Sequence, residues 1–190
     1  MVKPWLTHKR ERVLDCRVFA VESTERENPS TKQRGRFFVL DSPDWVNIIP
    51  ITRDNSVILV RQYRHGTDGM TLELPGGLVE KGEDPRMAAQ RECEEETGFR
   101  SPDDAILLGS CQPNPAIQNN ITYSYMWLDC ERTGRQSFDQ HEDIEVVEVP
   151  LDRLDALVDS GDIRHTLVLT TFYYFRRYHN TGRTVRTGIR

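Results

Sequence analysis

Residues 77–99 read GLVEKGEDPRMAAQRECEEETGF. The clearest helix signals of the chain lie inside this stretch. Asp84 stands where a side chain caps a helix, and Pro85 follows at the first turn, where proline is tolerated. Gly98 stands where a left-handed residue ends one. On a helix over that span, Glu92, Glu95 and Glu96 fall at i, i+3 and i+4 and share one face. Like charges at this spacing destabilise a helix by roughly 0.2–0.5 kcal/mol per pair. A structure that keeps them together needs a compensating cation. Hard cations prefer carboxylate oxygens, and magnesium sites combine a few carboxylates with waters and substrate phosphates. The pattern therefore predicts a metal cluster that also holds a phosphate-rich substrate. Pro75-Gly76-Gly77 lets the backbone turn sharply before the helix, and the Gly76 carbonyl is a candidate neutral ligand. Arg91 stands one turn before Glu95, where it can pair with Glu95 or Glu83 and orient the carboxylates. Cys93 and Met87 are expected toward the apolar side.

A run of glutamates alone is ordinarily a solvated helical face. The wider pattern is more specific. Gly77, Glu83, Arg91, Glu92, Glu95, Glu96 and Gly98 are seven fixed residues. At frequencies of ~5–7% each they match by chance on the order of once in 10⁸ starting positions. The spacing, not the run, carries the assignment.

Working outward, residues 71–74 read as a short strand ended by Pro75-Gly76-Gly77, and residues 45–51 and 56–64 read as strands joined at Asp54-Asn55. Strands are expected over 13–22 and 36–41, joined by a polar loop over 25–35, forming a small N-terminal sheet. Beyond the helix, strands are expected over 105–110, 121–129 and 144–149. Helices are expected over 151–160, stopping at Gly161, and over 165–179. Strands, a helix, then strands and helices indicate an α+β or layered α/β/α fold. The length of 190 residues suits one domain with a small appendage.

Composition is that of a globular chain, with 37% hydrophobic and 29% charged residues. No apolar run reaches the ~18–20 residues of a membrane span, and the first thirteen residues lack the apolar core of a secretory signal. A cytoplasmic location without membrane attachment is expected. Cys16, Cys93, Cys111 and Cys130 have no metal-site spacing and read as free thiols. The net charge of −5 argues against nucleic acid as a partner. It leaves small phosphorylated substrates open, because bound cations reverse the local field.

The segment resembles the box of the Nudix hydrolase family, G-x5-E-x7-R-E-U-x-E-E-x-G-U with U apolar, at every position; Cys93 and Phe99 fill the apolar slots. The resemblance implies an α+β Nudix fold: an α/β/α sandwich around a mixed sheet, here with a small N-terminal antiparallel sheet. It implies a hairpin region over 1–41 and a Nudix domain over 42–190. Glu92, Glu95 and Glu96 become metal ligands for Mg2+, with Mn2+ as an alternative. Glu95 and Arg91 also belong to the catalytic set, and Glu83 and Gly77 support it. Residues 45–47, 60–64, 72–77 and 83–85, with Pro115, look like the ADP-ribose and nucleoside-diphosphate-sugar pyrophosphatase branch. In that branch a late loop carries a further acid. Glu142 aligns with it, as catalytic residue and metal ligand. Gln140 stands where a second Glu is often found, and His141 is the alternative base.

The implied activity is metal-dependent hydrolysis of the pyrophosphate of nucleoside diphosphate sugars, ADP-ribose included, to nucleoside monophosphate and sugar phosphate. The alternatives are an ADP-ribose-specific enzyme and a non-catalytic nucleotide-sensing module. Arginine matches phosphate oxygens with its fork. Arg64 is the first candidate for the diphosphate and Arg61 the second, with strand-edge capping the plainer role for Arg61. Phe37, Trp45 and Tyr63 are candidates to stack on a base, although an aromatic residue entering an apolar strand such as Trp45 is usually core. Asn114, Pro115 and Asn119 are expected to line the sugar or diphosphate pocket. The N-terminal hairpin has little core of its own, and relatives exchange this sheet between subunits, so a homodimer is expected.

Overall fold

The computed structural model describes residues 2–134, 136–137 and 143–182. Gln140, His141 and Glu142 lie outside the described residues. The chain packs as two units, one of residues up to Asp44 with Gln112–Ile121, the other of Trp45–Cys111 with the residues from Thr122 onward.

The first unit is a three-stranded antiparallel sheet of β1 (Leu6–Asp15), β2 (Ala20–Glu27) and β3 (Arg34–Asp41). The single strand expected over 13–22 is therefore two strands with a turn between them. The Asp15 carboxylate accepts the Arg17 amide at 3.2 Å, and the Cys16 amide donates to the Phe19 carbonyl at 2.8 Å. Arg17 takes a φ of 61°, which an Asx-type turn supports. No residue of β1 is buried, so hydropathy gave no sign of it. The expected loop over 25–35 shortens to a turn in which Asn28 Oδ1 accepts the Ser30 and Thr31 amides at 2.9 and 3.2 Å. The later segment joins at Leu40, whose amide donates to the Ile117 carbonyl at 2.7 Å.

The second unit holds β4 (Trp45–Thr52), β5 (Ser56–Arg64), β6 (Gly69–Glu73), α1 (Pro85–Thr97), β7 (Phe99–Arg100), β8 (Ile106–Cys111), β9 (Thr122–Arg132), β10 (Ile144–Pro150), α2 (Leu154–Asp159) and α3 (Thr166–Thr181). Its seven strands run in the order β10-β5-β4-β9-β7, with β6 on β5 and β8 on β9. β4 lies parallel to β9 and the other pairs are antiparallel, so the sheet is mixed. Strand alternation builds two cores. Ile49, Ile51, Val57 and Leu59 pack with Leu154, Val168 and Phe172. Their neighbours Val46, Ile48 and Ile58 pack with Ala88, Ala89 and Cys93 of α1. Helices thus cover both faces of the sheet, and burying each of these larger aliphatic side chains is worth roughly 1.5–3 kcal/mol. The fold is α+β, a mixed sheet sandwiched by helices, with a small N-terminal antiparallel sheet.

Three details differ from the sequence reading. The helix expected over 151–160 opens as a 3-10 turn, Leu151–Arg153, with no side-chain cap; the Leu151 amide donates to the Asn55 carbonyl at 2.9 Å. The two-residue β7 is too short to show a period. Met87 is exposed, not turned to the core; Ala88 and Ala89 fill the space under that part of α1.

Candidate active site

The ends of α1 are fixed as its sequence prescribes. Asp84 Oδ1 accepts the Arg86 amide at 2.8 Å, and Gly98, at φ 73°, donates its amide to the Glu94 carbonyl. Ala88, Ala89, Cys93 and Thr97 are buried, which leaves the box acids beside the core. Burial pushes the Cys93 thiol well above its ordinary range, so it is an inert core residue.

Arg91 gathers the acids. Its Nε and Nη2 donate to the two Glu83 oxygens at 2.9 and 3.1 Å. Its Nη1 donates to Glu92 Oε1 at 2.9 Å and to Glu95 Oε2 at 3.0 Å, and Nη2 also reaches the Leu78 carbonyl. Hydrogen bonding to Glu83 raises the guanidinium pKa, and the same bonds hold the Glu83 carboxyl below its usual range. Arg91 thus pairs with both Glu83 and Glu95, and with Glu92 as well.

Glu96 is 4% exposed, and its Oε2 accepts the Gly76 amide at 3.0 Å. The carbonyls flanking that amide belong to the sheet: Pro75 accepts from Ile48 at 3.0 Å and Gly77 from Val46 at 2.9 Å. Both glycines are required by close approach. A Cβ at Gly76 would lie 2.1 Å from the Val46 carbonyl oxygen, and one at Gly77 would lie 2.5 Å from Glu92 Cδ. The turn is therefore a cradle: one glycine lets the loop touch β4, and the next makes room for the Glu92 carboxylate.

This donor set is all oxygen and anionic, the chemistry a hard cation requires. Glu92, Glu95 and Glu96 share one helix face, and Gly77 clears the space at Glu92. Among the described residues no three acids converge as ready ligands. Arg91 holds two of the acids and the Gly76 amide the third. The residues fit a divalent cation by chemistry and by the cradle, with side-chain rotation needed to release Glu92 and Glu95 from Arg91.

A second cluster in the same unit was not foreseen. Glu73, 2% exposed, accepts Arg64 Nε and Nη2 at 2.9 and 2.8 Å, Thr71 Oγ1 at 2.6 Å, and lies 2.9 Å from His165 Nδ1. Burial alone would raise its pKa. Hydrogen bonds from Arg64 and His165, the Arg64 charge and the Thr71 hydroxyl reverse this and hold the carboxyl far below its usual range. The sequence sign was an acid between Leu72 and Leu74 in an apolar strand. Arg64 is thus held in a bidentate grip while its side chain stays 43% exposed.

Other expected residues have plainer surroundings. Arg61 pairs with its cross-strand neighbour Glu145 at 3.0 Å, on the surface. Trp45 is half-buried at the start of β4, opposite Thr122. In the first unit, Phe37 packs edge-on to Trp5 with ring centroids 5.4 Å apart. The Asn114 carbonyl closes a turn by accepting the Ile117 and Gln118 amides, and Pro115 is exposed within it. Asn119 donates to Asp41 at 2.6 Å and accepts the Ser42 amide at 3.2 Å. Its amide thus secures the end of β3.

The family profile described as NUDIX domain matches residues 42–171, and the chain belongs to that family. The chain is 32% identical over 149 residues to the methanol dehydrogenase activator of Bacillus methanolicus, covering 77% of this chain and 78% of that one. It is 27% identical over 158 residues to the ADP-ribose pyrophosphatase of Bacillus subtilis strain 168, covering 83% and 84%. A crystal structure of an ADP compounds hydrolase superposes with a TM-score of 0.83 at 25% identity, over 97% of this chain and 99% of that chain. Among the described residues no helix is long and apolar enough to cross a membrane.

Proposed function

We propose that this protein hydrolyses the pyrophosphate of a nucleoside diphosphate joined to a sugar, ADP-ribose among them. Water adds to one phosphorus, the bridging P–O bond breaks, and nucleoside monophosphate and sugar phosphate leave. The observation that carries this reading is the box itself: Glu83, Glu92 and Glu95 gathered on Arg91, with Glu92 against Gly77 and Glu96 on the Gly76 amide. The ADP-ribose pyrophosphatase and ADP compounds hydrolase relatives support it. The sensing-module alternative has no observation in its favour, since every acid of the box is present.

Glu92, Glu95, Glu96 and the Gly76 carbonyl would hold Mg2+ or Mn2+. When bound, such a cation neutralises diphosphate charge and makes a water a stronger nucleophile at neutral pH. The chain's own residues do the rest. Arg91 aligns the carboxylates, with Glu83 bracing it. Arg64, its fork fixed by Glu73, meets a diphosphate oxygen, with Arg61 as the outer cation. Trp45 is our candidate to stack on the base; in the first unit, Phe37 is a second candidate for the base and Asn114, Pro115 and Asn119 are candidates for the sugar. Glu142 is our candidate for accepting the proton of the attacking water. The protein acts as a cytoplasmic homodimer. Its support is the N-terminal sheet, which exposes Leu6, Val13, Leu14, Phe37 and Phe38 and needs a covering surface.

The test is phosphorus NMR of ADP-ribose, ADP-glucose, GDP-mannose and UDP-glucose incubated with protein and magnesium. Nucleoside monophosphate should appear only with metal, and Glu96→Gln should lose most turnover while remaining folded, since its amide oxygen still accepts from Gly76. No monophosphate from any substrate, or full activity in a chelated sample, would sink the reading.

A further inference from the structure

The last four carbonyls of a helix have no partner within it. In α1 these are the carbonyls of Glu94, Glu95, Glu96 and Thr97, and Glu95 and Glu96 are box acids. The Glu94 carbonyl takes the Gly98 amide at 2.8 Å. The next two are met from about forty residues away in sequence. Ser137 N donates to the Glu95 carbonyl at 2.8 Å, and Gln136 Nε2 donates to the Glu96 carbonyl at 2.8 Å. The same Gln136 Nε2 reaches the carbonyl of Ile144, the first residue of β10, at 3.3 Å. The Gly98 carbonyl in turn accepts the Thr133 and Gly134 amides at 3.0 and 3.2 Å. The connection that leaves β9 is thus bonded to the end of α1 at each of these four residues.

This end of the helix is electrostatically unfavourable for its own side chains. The C-terminus carries the negative end of the macrodipole, α1 has no basic residue in its last turn, and Glu94, Glu95 and Glu96 all lie there. Donors aimed at the Glu95 and Glu96 carbonyls offset part of that negative potential. They also fix the main chain from which both carboxylates project. The Ser137 amide belongs to the main chain and survives a change of side chain; the Gln136 donor is a side-chain NH2 group that serves two elements, Glu96 of α1 and Ile144 of β10, and is lost with the carboxamide.

We infer that Gln136 is a positioning residue of the active site: its carboxamide clasps the end of the box helix to the start of β10 and so sets the directions of Glu95 and Glu96. The inference rests on the metal-binding reading of those acids. Loss of an outer partner of a metal ligand typically costs 10–100-fold in affinity.

Gln136→Leu keeps similar bulk and removes the donor, and Gln136→Lys restores one. Binding of Mn2+ to the substrate-free protein is followed by titration calorimetry, beside kcat, KM at saturating magnesium, and Tm. Gln136→Leu should weaken Mn2+ binding by about 10–100-fold and lower kcat with KM unchanged, and Gln136→Lys should recover most of both. Gln136→Met replaces the leucine variant if that one does not fold. Native Mn2+ affinity in a folded Leu or Met variant overturns the inference and leaves the metal reading intact. Absence of Mn2+ binding by the unmodified protein overturns the metal reading on which it rests.

Discussion

Gly76→Ala and Gly77→Ala add one methyl to adjacent residues, yet they should fail in opposite ways. At Gly77 the new Cβ would stand 2.5 Å from Glu92 Cδ and 2.6 Å from both its oxygens. Ordinary contact begins near 3.4 Å, so the carboxylate must retreat by 3.4 − 2.5 = 0.9 Å. The obstructing atoms are the far end of a flexible side chain, so the fold yields cheaply. A glycine replaced at a compatible backbone angle can even gain about 0.4–1 kcal/mol through the unfolded state. A reacting group misplaced by ~1 Å costs on the order of 10²-fold in rate, about 2.7 kcal/mol of barrier. At Gly76 the Cβ would stand 2.1 Å from the Val46 carbonyl oxygen and 3.0 Å from Asn47 Cα, both backbone atoms of β4. The strand or the loop must move by 3.4 − 2.1 = 1.3 Å, at the cost of the Ile48 and Val46 bonds. Overpacking of this kind costs about 1–3 kcal/mol, or roughly 3–10 °C of Tm. The assay is thermal melting by circular dichroism beside turnover of a nucleoside diphosphate sugar at saturating magnesium. Gly77→Ala should melt like the native chain and turn over about a hundred times more slowly, whereas Gly76→Ala should melt early. Native turnover in Gly77→Ala, or a larger loss of Tm there than in Gly76→Ala, would refute the steric reasoning.

The Glu73 cluster predicts an acid-sensitive fold: its folded-state pKa is depressed, so its contribution is present above the unfolded value of about 4.3 and is lost as pH falls toward the folded value. Glu73→Gln should therefore lose about 1.5 kcal/mol at pH 7, less than a fully buried pair would because Arg64 stays 43% exposed, measured by urea melts at neutral and acidic pH, and the gap should narrow at the acid end; equal stability at neutral pH would refute the pairing. For the proton acceptor, Glu142→Gln should lose on the order of 10²–10⁴-fold in turnover and His141→Ala little. A crippled histidine variant beside a healthy glutamine one would reverse the assignment. Deleting residues 1–41 should abolish the dimer in light scattering, and a fully active monomer would show that the hairpin is dispensable.

The sequence by itself determined the local elements whose signals are local. Asp84, Pro85 and Gly98 bounded α1 because capping and left-handed termination depend on a few neighbouring residues. The 3.6-residue period placed Glu92, Glu95 and Glu96 on one face, and Arg91 within reach of Glu83 and Glu95. The same locality hid β1, whose exposed residues carry no burial pattern, and merged it with β2 across a turn that Asp15 makes. What only the tertiary structure decided are meetings between residues far apart in sequence. Glu73 joins Arg64 to His165, ninety-two positions away. Gln136 closes the end of α1, and Val46 forbids a side chain at Gly76. No period or spacing encodes such contacts. They arise when strand register and helix packing bring separate segments within hydrogen-bond distance, and a buried carboxylate or an open helix carbonyl then takes the donor that the fold delivers.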